Sequence, residues 1–333
     1  MVQQHLGIWM VNPYLYAPPF RAAFVIINMT GGLAAPLFVT LAGVSAELGA
    51  SRNTSFPKML FRGVILILLG FLLNLMTPSW FSPGSFYVLH LLGVWLLLVP
   101  LVLRMSKRVL LMLGLGLLAG GIIGQSWLET PPSLNNEMMR DMSKAGGALR
   151  LALWEGHFPL FPWLALAVGG AWAGRAIKAG RAGLLLVCAG VCLGVALVLR
   201  CLVLVAPTIA RELPFRAACR LGPTFYPLTT VYALSLFSLC LAVLAAFLWF
   251  ERRGLITSKS WLTPLGQTSL SLLVFHVVFF REGLLALGLR KTIDPVLAIA
   301  VIITFLAAWI YLARRWRRIG YRFGLEWLVR RAG

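Results

Sequence analysis

Acidic residues are the scarcest feature of this chain. Asp and Glu number 10 in 333 residues, against 30 Lys and Arg, and charged residues make up only 12%. A soluble domain carries about twice that share of charge, so a soluble globular protein is excluded. Cysteine is sparse too. Cys188, Cys192, Cys201, Cys219 and Cys240 contain no CxxC pair, which argues against a zinc site and a disulfide framework. Cys188 and Cys192 sit one helical turn apart in an apolar run, a packing position rather than a ligand pair. Neither GxxxxGK[ST] nor HExxH occurs, so the backbone cradle of a P-loop and the paired imidazoles of a zincin are absent. The glycines at 113–124 lie in an apolar run, where they serve helix packing. No metal is expected.

Hydrophobic residues make up 60%, and the mean hydropathy is +0.87. Apolar runs of about twenty residues, the length that crosses a bilayer, recur with short joints. The fold class is therefore all-α: a polytopic transmembrane helix bundle of about nine full spans plus a partial first helix. The expected spans are 33–48, 59–77, 86–103, 109–128, 158–177, 183–206, 226–250, 262–289 and 295–313. No second, soluble domain separates from this single transmembrane domain, 1–333. The stretch 31–52 is its expected centre. Ala34, Ala35, Ala42, Gly43, Ser45 and Ala46 recur along it, and small residues let helix backbones approach closely in lipid. Pro36 falls near the start, where its missing N–H does least harm.

The formal charge of +20 would suggest nucleic acid in a soluble protein. Here the basic residues fall in every second joint: 49–62, 104–108, 175–181, 251–259 and the tail 314–331. The joints 78–85, 129–157, 207–225 and 281–294 are neutral or mixed. That alternation follows the positive-inside rule and places the basic joints and the C-terminus in the cytoplasm. Nucleic-acid binding is excluded, and the lipid bilayer is the partner. The tail, 314–333, interleaves Arg with aromatics and reads as an amphipathic helix on an anionic leaflet. The joint 129–157 is long for a connection, a feature of functional loops, and is expected to cover an extracytoplasmic site.

Residues 1–11 are too short to span and lack the basic n-region of a signal peptide. They read as the second half of a helix, with a true start expected upstream. The Pro- and aromatic-rich segment 12–30 reads as an interfacial connection, with 22–29 re-entrant.

The four histidines, His5, His90, His157 and His276, all fall toward the outer side of this topology. Ionisable groups in a membrane are costly and mark functional sites. A lone helical His is more often a packing residue; four at one depth point to a shared polar cavity, with Asn28, Glu155 and Arg200 at similar depth.

Six stretches, in order, match one family. MVQQHLGIW resembles its first-helix ending and APLFVTLAGVS its P-x-F-x-F-x-x-G-x-S pattern. LFRGVILILLG resembles its R-x-x-x-L-x-x-x-G helix, and SFYVLHLLGVWLLL its G-V-L-(H/Q)-x-(I/L)-G helix. GHFPLFPWLALAVGGAWAGR and LGQTSLSLLVFHVVF resemble its F-P-x-x-P-W and S-L-x-x-Y-x-x-H helices. The chain thus resembles the heparan-α-glucosaminide N-acetyltransferase-like family of transmembrane acyltransferases, including its bacterial members. It departs in lacking the N-terminal Asp-x-x-Arg-Gly and the Tyr of the last motif.

The resemblance implies transfer of an acyl group, acetyl in particular, from cytosolic acyl-CoA to an extracytoplasmic sugar, glycan or lipid, across a bacterial cytoplasmic membrane. His5 would be the catalytic base, with His276 and His90 positioning the acyl carbonyl or acceptor. His157, Asn28, Glu155 and Arg200 would line the acceptor site. Arg52, Lys58, Arg62, Arg104, Lys107, Arg108 and Arg175 would hold the donor's phosphates, although topology alone accounts equally well for each. A homodimer stays open. The rival classes are a transporter or flippase with a polar midplane site, against which the lack of a repeat between the halves counts, and an inactive family member.

Overall fold

The computed structural model describes residues 1–49, 56–205, 223–257 and 260–331. Among them the regular structure is helical throughout. In chain order the helices are α1 Val2–Met10, α2 Pro18–Gly32, α3 Ala34–Gly49, α4 Phe56–Met76, α5 Val88–Val102 and α6 Lys107–Trp127. They continue with α7 Leu160–Lys178, α8 Gly183–Val205, α9 Thr230–Arg252, α10 Ser269–His276, α11 Pro295–Arg317 and α12 Leu325–Arg331. Among the described residues, eight apolar helical runs are long enough to cross a membrane. A helix of 21 residues such as α4 rises about 31 Å, the thickness of the hydrocarbon core. The ninth expected span, α5, has 15 residues and rises only about 22 Å. The protein is an integral, multi-pass membrane protein.

Local chemistry sets the starts. Ser106 Oγ accepts the Val109 N–H ahead of α6, and Thr229 Oγ1 accepts the Tyr232 N–H ahead of α9. Asp294 Oδ1 accepts the Val296 and Leu297 N–H groups, with Pro295 at the first helical position. Each satisfies donors that a helix start leaves open.

The segment 12–30 departs from its expected form. Only 13–15 is a short 3₁₀ turn, and Pro18–Gly32 is helical. Pro18 and Pro19 stand in the first turn of α2, where proline starts a helix rather than breaking one. The joint 129–157 is also largely ordered, with a 3₁₀ turn at Met138–Arg140, a short helix at Gly147–Arg150 and a π-helical turn at Leu151–Glu155.

The chain forms two compact units. One comprises residues 1–35, 75–79 and 254–333; the other comprises 36–74 and 80–253. In the first, α1 packs against α2, α11 and the segment after α10. The last carbonyls of α1 are taken by the loop before α11: Lys291 N–H donates to Trp9 O at 2.8 Å and Ile293 N–H to Met10 O at 3.0 Å.

In the second unit, α3 lies against α7 with almost no side chain between them. A Cβ added at Gly43 would collide with the Ala167 carbonyl oxygen and the Gly170 backbone, and one at Gly170 with the Thr40 carbonyl oxygen. Gly43 of the stretch 31–52 thus forms a backbone-to-backbone contact, with α7 as partner. Gly63 and Gly93 make a similar contact between α4 and α5. Gly43→Ala must separate α3 from α7, and overpacking of this kind costs about 1–3 kcal/mol. The expected result is a lower thermal midpoint in detergent, whereas Gly116→Ala, in open space inside α6, should not lower it and gains helix propensity.

Candidate active site

The expected site residues divide between the units. In the first, α1 and α10 bring together two imidazoles 271 residues apart in sequence: His5 Nδ1 lies 3.0 Å from His276 Nε2. Their ring centroids are 5.2 Å apart with the planes 23° from parallel, and Trp9, one turn after His5, lies tilted against His5 at 5.1 Å and stacked with His276 at 6.1 Å. His276 is fully buried.

The hydrogen bonds fix the tautomers. His276 Nδ1 lies 2.7 Å from the Leu272 carbonyl oxygen. A carbonyl only accepts, so His276 Nδ1 carries the proton and its Nε2 is a lone pair. With both rings neutral, that lone pair accepts from His5, so His5 Nδ1 carries its proton and Nε2 is its unprotonated nitrogen. One imidazole is oriented by the second, and the second by a backbone carbonyl of its own helix. This is the base-and-orienter logic of hydrolytic triads, built from two histidines.

Immediately after His276 the helix widens into a π-helical turn, Val277–Glu282. With i→i+5 bonding, His276 and Arg281 fall on one face, and such π-turns are frequent at functional sites. The Arg281 guanidinium lies 5.9 Å over the Trp9 ring. Arg281 Nε donates to Ser79 Oγ at 3.0 Å and Nη2 to Ser79 O at 3.1 Å, while Ser79 Oγ donates to Glu282 Oε1 at 2.7 Å. Sequence reasoning missed this group. Its one signal was the spacing of five residues between His276 and Arg281. Asn28, also in this unit, donates to the Phe24 carbonyl at 2.8 Å and turns its Oδ1 toward Gly7, where α1 and α2 touch.

In the second unit His90 serves its own helix. Its Nδ1 accepts the Tyr87 N–H at 3.0 Å and closes the start of α5. The ring packs flat on Gly70, where a Cβ would come within 2.7–2.9 Å of it, between Phe71 and Phe86. This is a capping and packing position. His157 is buried in an aromatic ring of Trp80, Phe81, Tyr87 and Tyr226, with centroids at 5.0–6.4 Å. Its Nε2 lies 3.1 Å from Asn136 Oδ1. Glu155 is buried against Arg150 and accepts the Thr130 hydroxyl at 2.7 Å. Its carboxylate ties the joint 129–157 together. Arg200 lies exposed on α8.

The basic residues gather at one end of this unit. Lys58 and Arg62 stand in the first two turns of α4, and the Gly63–Gly93 contact sets that end beside the last turns of α5. Arg104, Lys107 and Arg108 follow α5 directly and are exposed. Arg175 reaches the same joint, but its guanidinium is committed. It pairs with Glu47 and donates to the carbonyls of Met105 and Val102 at 2.6 and 3.0 Å. Arg52 and Cys219 lie outside the described residues.

The family model described as heparan-alpha-glucosaminide N-acetyltransferase, catalytic, matches residues 1–201. No curated protein and no solved structure matches the chain. The matched residues include His5, the α3–α7 contact and the basic end, and they stop before His276, which the fold returns to His5. With more than half of its length matched, and with its membrane-spanning helices, this chain belongs to the heparan-alpha-glucosaminide N-acetyltransferase catalytic family.

Proposed function

We propose that the protein transfers an acyl group, acetyl in the first instance, from cytosolic acyl-CoA to a hydroxyl or amine of an extracytoplasmic glycan or lipid. The observation that carries this reading is the His5–His276 pair with its fixed tautomers, within a family of membrane acetyltransferases. As the acceptor attacks the thioester carbonyl, His5 Nε2 takes its proton. The imidazolium so formed keeps its Nδ1–H in the bond to His276 Nε2. The C–S bond then breaks, and His5 returns the proton to the leaving sulfur, giving an ester or amide and free CoA. A positioned imidazole suits both transfers because the nitrogen that accepts the proton can donate it again. His276 is in this reading a positioning residue, acting through His5.

Lys58, Arg62, Arg104, Lys107 and Arg108 hold the donor's phosphates by charge-assisted hydrogen bonds. The alternation of basic joints supports a cytoplasmic face for that end and for the C-terminus, and hence an outer face for 129–157.

The test is transfer of radiolabel from acetyl-CoA by membranes that contain the protein. Lipid and glycan fractions should gain label, and CoA should raise the thermal midpoint of the purified protein. No transfer together with no CoA-dependent shift would sink the enzyme reading and favour a transporter or an inactive member.

A further inference from the structure

We propose that a cavity inside the second unit holds one hydrocarbon chain of a bilayer phospholipid. The cavity measures about 310 Å³, is lined by α6, α7, α8 and α9, and is open on one side. All four carry runs long and apolar enough to cross a membrane. The walls are aliphatic side chains and glycines, with Trp172 and Phe237, and the only other side-chain heteroatoms are the thiols of Cys188 and Cys192. Both thiols lie at least a turn inside α8.

The chemistry of the lining selects the occupant. Liquid water takes about 30 Å³ per molecule, and each buried water needs two to four polar partners. A space for several waters with almost no polar partner is not a water site. It offers nothing to a sugar or to the phosphates of a nucleotide either. Interiors are close-packed, with few voids larger than a water, so a volume of this size calls for an apolar filler.

The mouth says where the filler comes from. Leu111 and Leu115 on α6 and Val191 on α8 line the cavity, yet they are 58%, 52% and 59% exposed. The opening therefore runs sideways between α6 and α8. In a membrane that direction leads to lipid tails, not to an aqueous end. A phospholipid chain can enter there while its headgroup stays at the interface. The proposal is independent of acetyl transfer.

Gly114 supplies the test. A Cβ there meets only Val168, at 3.9 Å, so Gly114→Leu starts a side chain into the cavity without backbone strain and replaces a poor helix former by a good one. The protein is placed in nanodiscs containing a phospholipid with a diazirine at mid-chain, irradiated and digested. In wild type, label should fall on the peptide carrying Cys188 and Val191 as well as on outward residues such as Val198, which is 68% exposed. Gly114→Leu should cut the label at 188–191 by about tenfold, equivalent to about 1.4 kcal/mol, and leave Val198 unchanged. Native mass spectra should show one phospholipid retained by wild type and none by the variant. Equal labelling at 188–191 in both proteins, or a wild type that retains no phospholipid, would overturn the proposal. Should Gly114→Leu fail to fold, Val191→Trp closes the mouth instead and should give the same loss.

Discussion

Replacing His5 with Ala should lower turnover by about 10²–10⁴, the usual worth of a positioned proton-transfer group. The fold and the affinity for CoA should survive. His5 sits on α1, whose neighbours are also held by Gln4 against Gly31 and by the loop that pairs with Trp9 and Met10. The loss should appear in kcat, because the base acts in the transition state and not in donor binding. His276→Ala should give a smaller loss of the same kind. It removes the acceptor that orients His5 but leaves His5 Nε2 its lone pair in some of the rotamers then open to it. Steady-state rates for the two single variants and the double variant decide the matter. If the pair acts as a unit, the double variant should be no worse than His5→Ala alone. Strictly additive losses would separate the two imidazoles, and near-wild-type turnover in His5→Ala would remove it as the base.

The membrane helices were legible because hydrocarbon imposes one rule, that about twenty apolar residues make a span. Eight of the nine expected spans therefore fall within a few residues of α3 to α9 and α11, whereas 262–289 is divided between α10, the π-turn Val277–Glu282 and short helices on either side. Segment 12–30 read as an interfacial connection from its prolines and aromatics, and only the place of Pro18 and Pro19 in the first turn shows them to start a helix. The π-turn after His276 left no trace in the pattern of apolar residues. Arg281 accordingly read as the edge of a mixed joint, not as a neighbour of Trp9. The pairing of His5 with His276 is a contact across 271 residues. It could be suspected from direction and depth, and from family motifs. The roles were not readable. The hydrogen bond of His276 with His5, the helix cap made by His90 and the aromatic ring around His157 left no mark in the sequence pattern. Depth in a membrane groups residues from every helix, and only packing says which of them meet.

The basic joints pose the same ambiguity, and Arg175 resolves it at one position. Arg175→Ala should destabilise the protein by about 3–5 kcal/mol, the typical cost of removing one partner from a buried ion pair. The two side chains are only 14% and 8% exposed. The substitution would leave the Glu47 carboxylate buried without its counter-charge. It would also strip the donors from the carbonyls of Val102 and Met105, which end α5 and lead into the basic joint. Unpaired carbonyls at a helix end carry their own penalty when buried. Arg175→Lys should recover only part of the loss, because one ammonium cannot reproduce a planar fork that meets a carboxylate and two carbonyls together. Replacing Arg175 and Glu47 together by apolar residues should cost much less than Arg175→Ala, since no unpaired charge remains. Thermal unfolding in detergent, read beside the KM for acetyl-CoA, separates the two uses of a basic residue here. A residue that holds the fold lowers the midpoint with little change in KM. A residue that grips the donor's phosphates raises KM at an unchanged midpoint, and that second outcome at Arg175 would move it from the scaffold of the basic end into the donor site itself.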